Sequence, residues 1–281
     1  CSSDLNHAQG WPYFTEHLVL ATPDNGVATA IYAACKATVK VGDGKEITLH
    51  EETNYPFEEG IAFTVSTDEK VAFPFYLRIP SWTQKAEVRV NGKKVSAAPV
   101  AGKYLCINRE WANGDRVELT LPMSLSMRTW QVNKNSVSVD YGPLTLSLKI
   151  AEKYVEKDSR ETAIGDSKWQ KGADPKKWPT TEIYPDSPWN YSLVLDKKEP
   201  LKNFKVIRKS WSTDNYPFTV ASVPLEVKAI GRPVPEWKID ETGLCGVLPE
   251  EDAVKGDKEE ITLIPMGAAR LRISAFPNTK E

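Results

Sequence analysis

Histidine is nearly missing from this chain, with three in 281 residues: His7, His17 and His50. A Ser-His-Asp arrangement or a His-rich metal site therefore has little material. Cysteine is scarce as well. Cys1, Cys35, Cys106 and Cys245 stand far apart and form no CxxC pair, so there is no dense disulfide framework, and the redox compartment stays open. No apolar run approaches the roughly 20 residues that cross a bilayer, so no membrane span is expected, and no charged-then-apolar signal peptide is seen. Excess charge is missing too. The 36 basic and 38 acidic side chains leave a formal net charge of -2, without the basic face that a nucleic-acid partner requires. No Gly-rich phosphate loop, GxSxG or His-x-x-x-His occurs.

What the chain does hold is strand rhythm. Hydrophobic residues make up 41%, enough for a sizeable core in one or two domains. After Gly26 the pattern has period two: Val27-Thr29-Ile31-Ala33, Ala37 to Val41, then Ile47 to His50 across the Gly42-Asp43-Gly44 turn. Further strands are expected at Ile61–Val65, Val71–Ile79, Ala86–Val90, Tyr104–Ile107 and Val117–Leu121. Asn91-Gly92 is a strong hairpin signal, because both residues accept positive φ, and Asn113-Gly114-Asp115 marks a second tight turn. Lys40, Arg78, Arg89 and Arg116 fall at the solvent-facing positions of one-sided sheets, and Cys35 and Cys106 read as small buried hydrophobes within strands. The fold class that follows is all-β, two antiparallel β-sandwich domains, after a helix near the start.

That helix is expected over Tyr13–Leu20, stopped by Pro23-Asp24-Asn25-Gly26. The expected organisation is a helix and linker over 1–25, a first sandwich over 26–141 and a second over 142–281. The second carries a long Lys-, Asp-, Pro- and Trp-rich loop at about 152–191, and strands resume from Ser192. Loops of that length in compact proteins are commonly functional. The first residue is Cys1. A lipid-modified cysteine would lead into a polar tether, whereas Gly10-Trp11-Pro12-Tyr13-Phe14 is bulky, which favours a piece of a longer polypeptide.

Several segments in order carry a resemblance: Leu77-Arg78-Ile79-Pro80-Ser81-Trp82, Val88-Arg89-Val90-Asn91-Gly92, Trp111-Ala112-Asn113-Gly114-Asp115-Arg116-Val117, Leu121-Pro122-Met123 and Tyr141-Gly142-Pro143-Leu144. Ser187-Pro188-Trp189-Asn190-Tyr191 and Leu263-Ile264-Pro265-Met266-Gly267 extend it. Together they resemble the region that follows the catalytic barrel in glycoside hydrolase family 127, the β-L-arabinofuranosidase-like enzymes. The resemblance implies an (α/α) barrel as the partner of these β domains, with the residues before Gly26 as its last helix. It implies zinc in the complete enzyme, with none held by this chain alone. Cys1 is similar to the second member of the family's Cys-Cys pair and so to a remnant zinc ligand. The usual Asn three residues later is Asp4 here, and the first Cys is not in this sequence.

The residues alone supply no catalytic set. A carboxylate pair for glycoside cleavage needs two acids about 5 to 10 Å apart, one with a raised pKa. The adjacent acids Glu51-Glu52 and Glu58-Glu59 point to opposite faces of a strand, and Glu250-Glu251-Asp252 and Glu259-Glu260 read as solvated turn or edge charge. The nine tryptophans offer more. Trp169, Trp178 and Trp189 in the long loop are candidate contacts to a glycan, since an exposed indole face can stack on a sugar ring. The alternative is packing, with the indole N–H on a carbonyl. Three functions remain open: an accessory region bracing a glycosidase barrel, a free-standing carbohydrate-binding module, and a structural interaction domain.

Overall fold

A computed structural model describes residues 2–158, 174, 176–241, 243–250 and 253–281, with side chains described from residue 8 onward. Among the described residues the fold is all-β apart from one α-helix and a single 3-10 turn at Met266–Ala268, and the chain divides into two compact units, 1–124 and 125–281. The junction expected near residue 141 falls earlier than that, because hydrogen-bonded ladders span residue 141.

In the first unit, helix α1 (Ser2–Glu16) precedes ten strands. The helix lies earlier than the expected 13–20. The end of the expected helix is strand instead, because Val19, Leu20 and Ala21 pair as β1 (Val19–Ala21) with β2 (Val27–Thr29). The Ala30 N–H donates to the Leu18 carbonyl and continues that ladder. The period-two stretches become β3 (Cys35–Val41), β4 (Lys45–Thr53), β5 (Gly60–Ser66), β6 (Val71–Arg78), β7 (Glu87–Val90), β8 (Lys93–Lys94), β9 (Tyr104–Trp111) and β10 (Arg116–Thr120). They form a four-stranded sheet, β1-β2-β6-β9, and a six-stranded sheet, β3-β4-β5-β10-β7-β8. One core is shared by the inner faces of both, from Ile47, Leu49 and Phe63 to Phe73, Phe75 and Trp111. Trp111 is fully buried, and its Nε1–H donates to the Phe73 carbonyl at 3.0 Å.

The turn signals hold this unit in register. Asn91 and Gly92 both adopt positive φ and close β7 onto β8. Asn91 also ties its hairpin to the Asn113-Gly114-Asp115 turn. Its Nδ2 donates to Asp115 Oδ1 at 2.7 Å, and its Oδ1 accepts the Arg116 N–H at 2.8 Å. Asp115 Oδ2 in turn accepts the Ala112 N–H. Burial works to raise the Asp115 pKa, but the Ala112 N–H, the Asn91 amide and Arg109 outweigh it and hold the carboxyl below its usual range. At the β3–β4 turn Gly42 has φ +54°, and a Cβ there would stand 2.7 Å from the Ala72 carbonyl oxygen.

The second unit starts at β11 (Leu125–Trp130), which pairs along its whole length with β12 (Ser136–Tyr141). β12 pairs onward with β13 (Leu144–Leu148). A boundary at 141 would cut these ladders, and that sets the division before residue 125. The strands β16 (Tyr191–Leu195), β17 (Lys205–Arg208), β18 (Leu225–Pro233), β19 (Glu259–Pro265) and β20 (Asn278–Lys280) complete an eight-stranded sheet with β11, β12 and β13. Among the described residues two pairings are parallel, β2 with β6 and β16 with β20. The ends of the expected 152–191 loop form a separate ribbon, β14 (Glu152–Lys157) and β15 (Thr180–Pro185). Its middle, 159–173 and 175, lies outside the described residues.

Every residue of β12 is buried, so its polar side chains need partners. Asp140 receives a two-pronged contact from Arg128, at 2.7 and 2.9 Å, and Ser138 Oγ donates to the Ser274 carbonyl at 2.6 Å.

Candidate functional site

Cys1, Trp169 and the His7 side chain lie outside the described residues. Trp178, just ahead of β15, is 64% exposed, with the Lys177 ammonium 5.8 Å from its ring centroid. Trp189 is half-buried and meets Trp237 edge to face, centroids 5.2 Å apart. Trp237 is itself buried and donates its Nε1–H to the Gly246 carbonyl. The structure thus gives Trp178 and Trp189 different surroundings, one solvent and one core. The ribbon adds two exposed aromatics that carried no sequence signal, Tyr154 and Tyr184. Each phenol donates to a carboxylate two residues away on its own strand, Glu152 and Glu182.

Cys106 faces outward from β9, opposite in phase to buried Leu105, and Cys35 is only half-buried. Neither is the fully buried small hydrophobe expected, because each sits out of step with, or at the edge of, the core-facing positions. Among the described residues, no three or more His, Cys, Asp and Glu side chains stand together as a metal site. Those residues therefore do not fit a zinc ion, which needs about four ligands in one shell.

A polar depression of about 610 Å³ opens on the outer face of the six-stranded sheet. Alternation explains it. Glu52, Ala62, Glu118 and Arg89 lie side by side across β4, β5, β10 and β7, with small Gly60 and Ala62 on its floor. Arg116 bridges Glu52 and Glu118 at 3.3 and 3.4 Å, and Arg89 pairs Glu87 at 2.7 Å. The Glu87 carboxyl is held below its ordinary pKa by its hydrogen bond to Arg89, then by Lys94. A general acid for glycoside cleavage needs the opposite shift. These charges suit hydrogen bonding to a polar surface and not proton donation.

One acid faces inward. Glu51 is 1% exposed, in phase along β4 with buried Ile47 and Leu49. Its Oε2 lies 3.9 Å from the Cys35 thiol, and its Oε1 has no hydrogen-bond partner among the described residues. Burial raises its pKa to about 8, against smaller downward pulls from the Ala33 N–H and Cys35. The signal is present in the sequence, since Ile47, Leu49 and Glu51 continue one alternating series. The adjacent Glu52 masks it by making the two acids look like a pair.

Residues 26–123 match the family described as Beta-L-arabinofuranosidase, GH127 middle domain. The match ends close to the boundary of the first unit, which is therefore GH127-like. No curated protein matches the sequence. Among solved structures, a GH127 beta-L-arabinofuranosidase from Geobacillus stearothermophilus T6 is similar to this chain at 21% identity and TM-score 0.61. The alignment covers 94% of this chain and 35% of that one. A GH127 beta-arabinofuranosidase is similar at 22% identity and TM-score 0.58, covering 92% and 36%. A further glycoside hydrolase structure is similar at 23% identity and TM-score 0.58, covering 92% and 36%. At these identities the likeness concerns the fold, and the chain spans about a third of the length of these structures.

Proposed function

With a GH127-like first unit as the premise, we propose that this chain is the accessory β region of a β-L-arabinofuranosidase-like glycoside hydrolase acting on plant-type glycans. In this role it braces a catalytic barrel and performs no hydrolysis by itself. The observation that carries the reading is the surface of α1. Trp11 and Tyr13 are 62% and 65% exposed, and Phe14 is 39% exposed with its ring edge-on to Trp11 at 6.1 Å. Large aromatics gathered on one short stretch mark a contact surface for another folded body. The stretch lies just ahead of the 26–123 match, where the resemblance puts the last barrel helix. The inward and outward acids support the inactive half of the reading. Glu87 is held ionised, and Glu51 is sealed from solvent.

The test is hydrolysis of an aryl β-L-arabinofuranoside by the purified chain, with and without added zinc, beside calorimetric titration with arabinan oligosaccharides. The expected result is no turnover under either condition. Turnover abolished by a chelator would overturn the accessory reading. Saturable glycan binding lost in Trp178→Ala would replace it with a carbohydrate-binding module, the reading that the exposure of Trp178 favours.

A further inference from the structure

Glu51 is the feature of the first unit that neither the accessory role nor the core explains. Its strand neighbours are Cys35 on β3 and Phe63 on β5. The segment between β2 and β3 covers this end of the sheet through Tyr32. That ring is buried, edge-on to Tyr55 at 5.9 Å and tilted on Phe63 at 6.2 Å. The Tyr32 hydroxyl donates to the Arg78 carbonyl at 2.5 Å, and the Arg78 guanidinium donates to the Ala30 carbonyl at 3.0 Å. The titratable and charged groups on the packed elements are therefore Cys35 from β3, Tyr32 from the cover, Tyr55 beyond β4, Arg78 from β6 and Tyr104 from β9. Arg78 and Tyr104 bear on Tyr32, and Arg78 also on Tyr55. Among the described residues, no cation is among the groups that act on the Glu51 carboxyl.

An ionised carboxylate sealed in a core without a cation is strongly unfavourable, so it keeps its proton or gains water. The cheapest route to water is at hand. β3 is the edge strand of its sheet and among the described residues pairs only with β4, and local opening of such an element costs far less than unfolding the whole domain. We propose that Glu51 and Cys35 form a proton-controlled latch: protonated Glu51 keeps the β3 edge closed over the thiol, and loss of that proton lifts the edge and frees Cys35 to react. In the closed state burial raises the pKa of the half-buried thiol and keeps it protonated and slow to react. Opening removes the burial and puts water between the two groups.

Iodoacetamide labelling of the full chain tests this, with rates followed by peptide mass spectrometry. The Cys35 sulfur forms a bond to carbon as the C–I bond breaks, iodide leaves, and the thiol proton passes to buffer. Exposed Cys106 serves as the internal reference, and Glu51→Gln, a neutral isostere, as the variant that cannot lose the proton. At pH 6.5 the two proteins are expected to label Cys35 within about twofold of each other. At pH 9 the native protein labels it at least tenfold faster than Glu51→Gln, each rate taken relative to Cys106. Equal relative rates at both pH values overturn the latch. Because Gln could itself disturb packing, amide exchange of the unaltered chain gives a second reading. Once corrected for the intrinsic pH effect, protection of residues 35–41 should fall between pH 7 and 9 while that of residues 116–120 holds. Parallel behaviour of the two segments also overturns it.

Discussion

Replacing Glu51 by Gln should flatten the pH dependence of folding stability above pH 5, and the size of the effect follows from the site. The carboxyl titrates near pH 8 in the folded chain, against an ordinary value of 4.5. Between those limits the native state holds a proton that the unfolded state has released. The sign is therefore fixed: stability from this group falls as pH rises through the window and is level above it. At about 1.36 kcal/mol per pH unit the full span is about 5 kcal/mol. Local opening of the β3 edge caps the loss at the cost of that opening, so about 2–5 kcal/mol is expected between pH 5 and pH 9. Urea unfolding at unit pH intervals, read by tryptophan fluorescence, measures it. Asp24, Asp115, Glu87 and Glu226 all have lowered pKa values and titrate below the window. Every other titrating group is common to both proteins and cancels in the difference. Identical slopes for the native chain and Glu51→Gln from pH 5 to pH 8 would refute the reasoning.

Asp115→Ala removes acceptors from both Asn91 and the Ala112 N–H, and should lower the stability of the first unit by about 1–3 kcal/mol in the same urea assay at pH 7. The loss should shrink as the pH falls below the ordinary carboxyl value of 3.8 and through the lowered native one, where the native carboxylate itself takes up a proton. Trp111→Phe leaves the Phe73 carbonyl without its indole donor and opens a void among Phe73 and Phe75. About 2–4 kcal/mol of destabilisation should follow, read as a shift in the urea midpoint with the slope unchanged.

The strands of the first unit are legible in the sequence because period-two burial and turn chemistry are local. Val71, Phe73, Phe75 and Leu77 alternate inward along β6, and Asn91-Gly92 names its own turn. The ends of elements are not legible. Val19–Ala21 is a strand only because Val27–Thr29 lies beside it, and a helical pattern fits the same three residues. β11 alternates only over Leu125–Arg128 before its exposed Thr129-Trp130 end, too short a run to mark a strand, while β20 is a polar Asn-Thr-Lys whose pairing with β16 depends on where the chain returns. The unit boundary lies away from residue 141 for the same reason, since pairing between β11 and β12 is invisible in composition.

The site is less legible than the fold because exposure decides what an aromatic or an acid can do, and exposure is a tertiary property. Trp178 and Trp189 both lie beside proline in a Trp-rich stretch. Yet one has solvent on most of its surface, and the other spends its face on Trp237. The acids divide in the same way. Glu51 and Glu52 are neighbours in sequence, but the pleat sends the first into a core without a cation and the second to an Arg116 ion pair in open solvent. Burial makes the first a proton store, while the second is one half of an exposed ion pair. In an all-β chain with few histidines, the chemistry is set by which phase of an alternating strand a polar residue occupies. Glu51 occupies the apolar phase and has a raised pKa, whereas Glu87 on the outer face, paired with Arg89, has a lowered one.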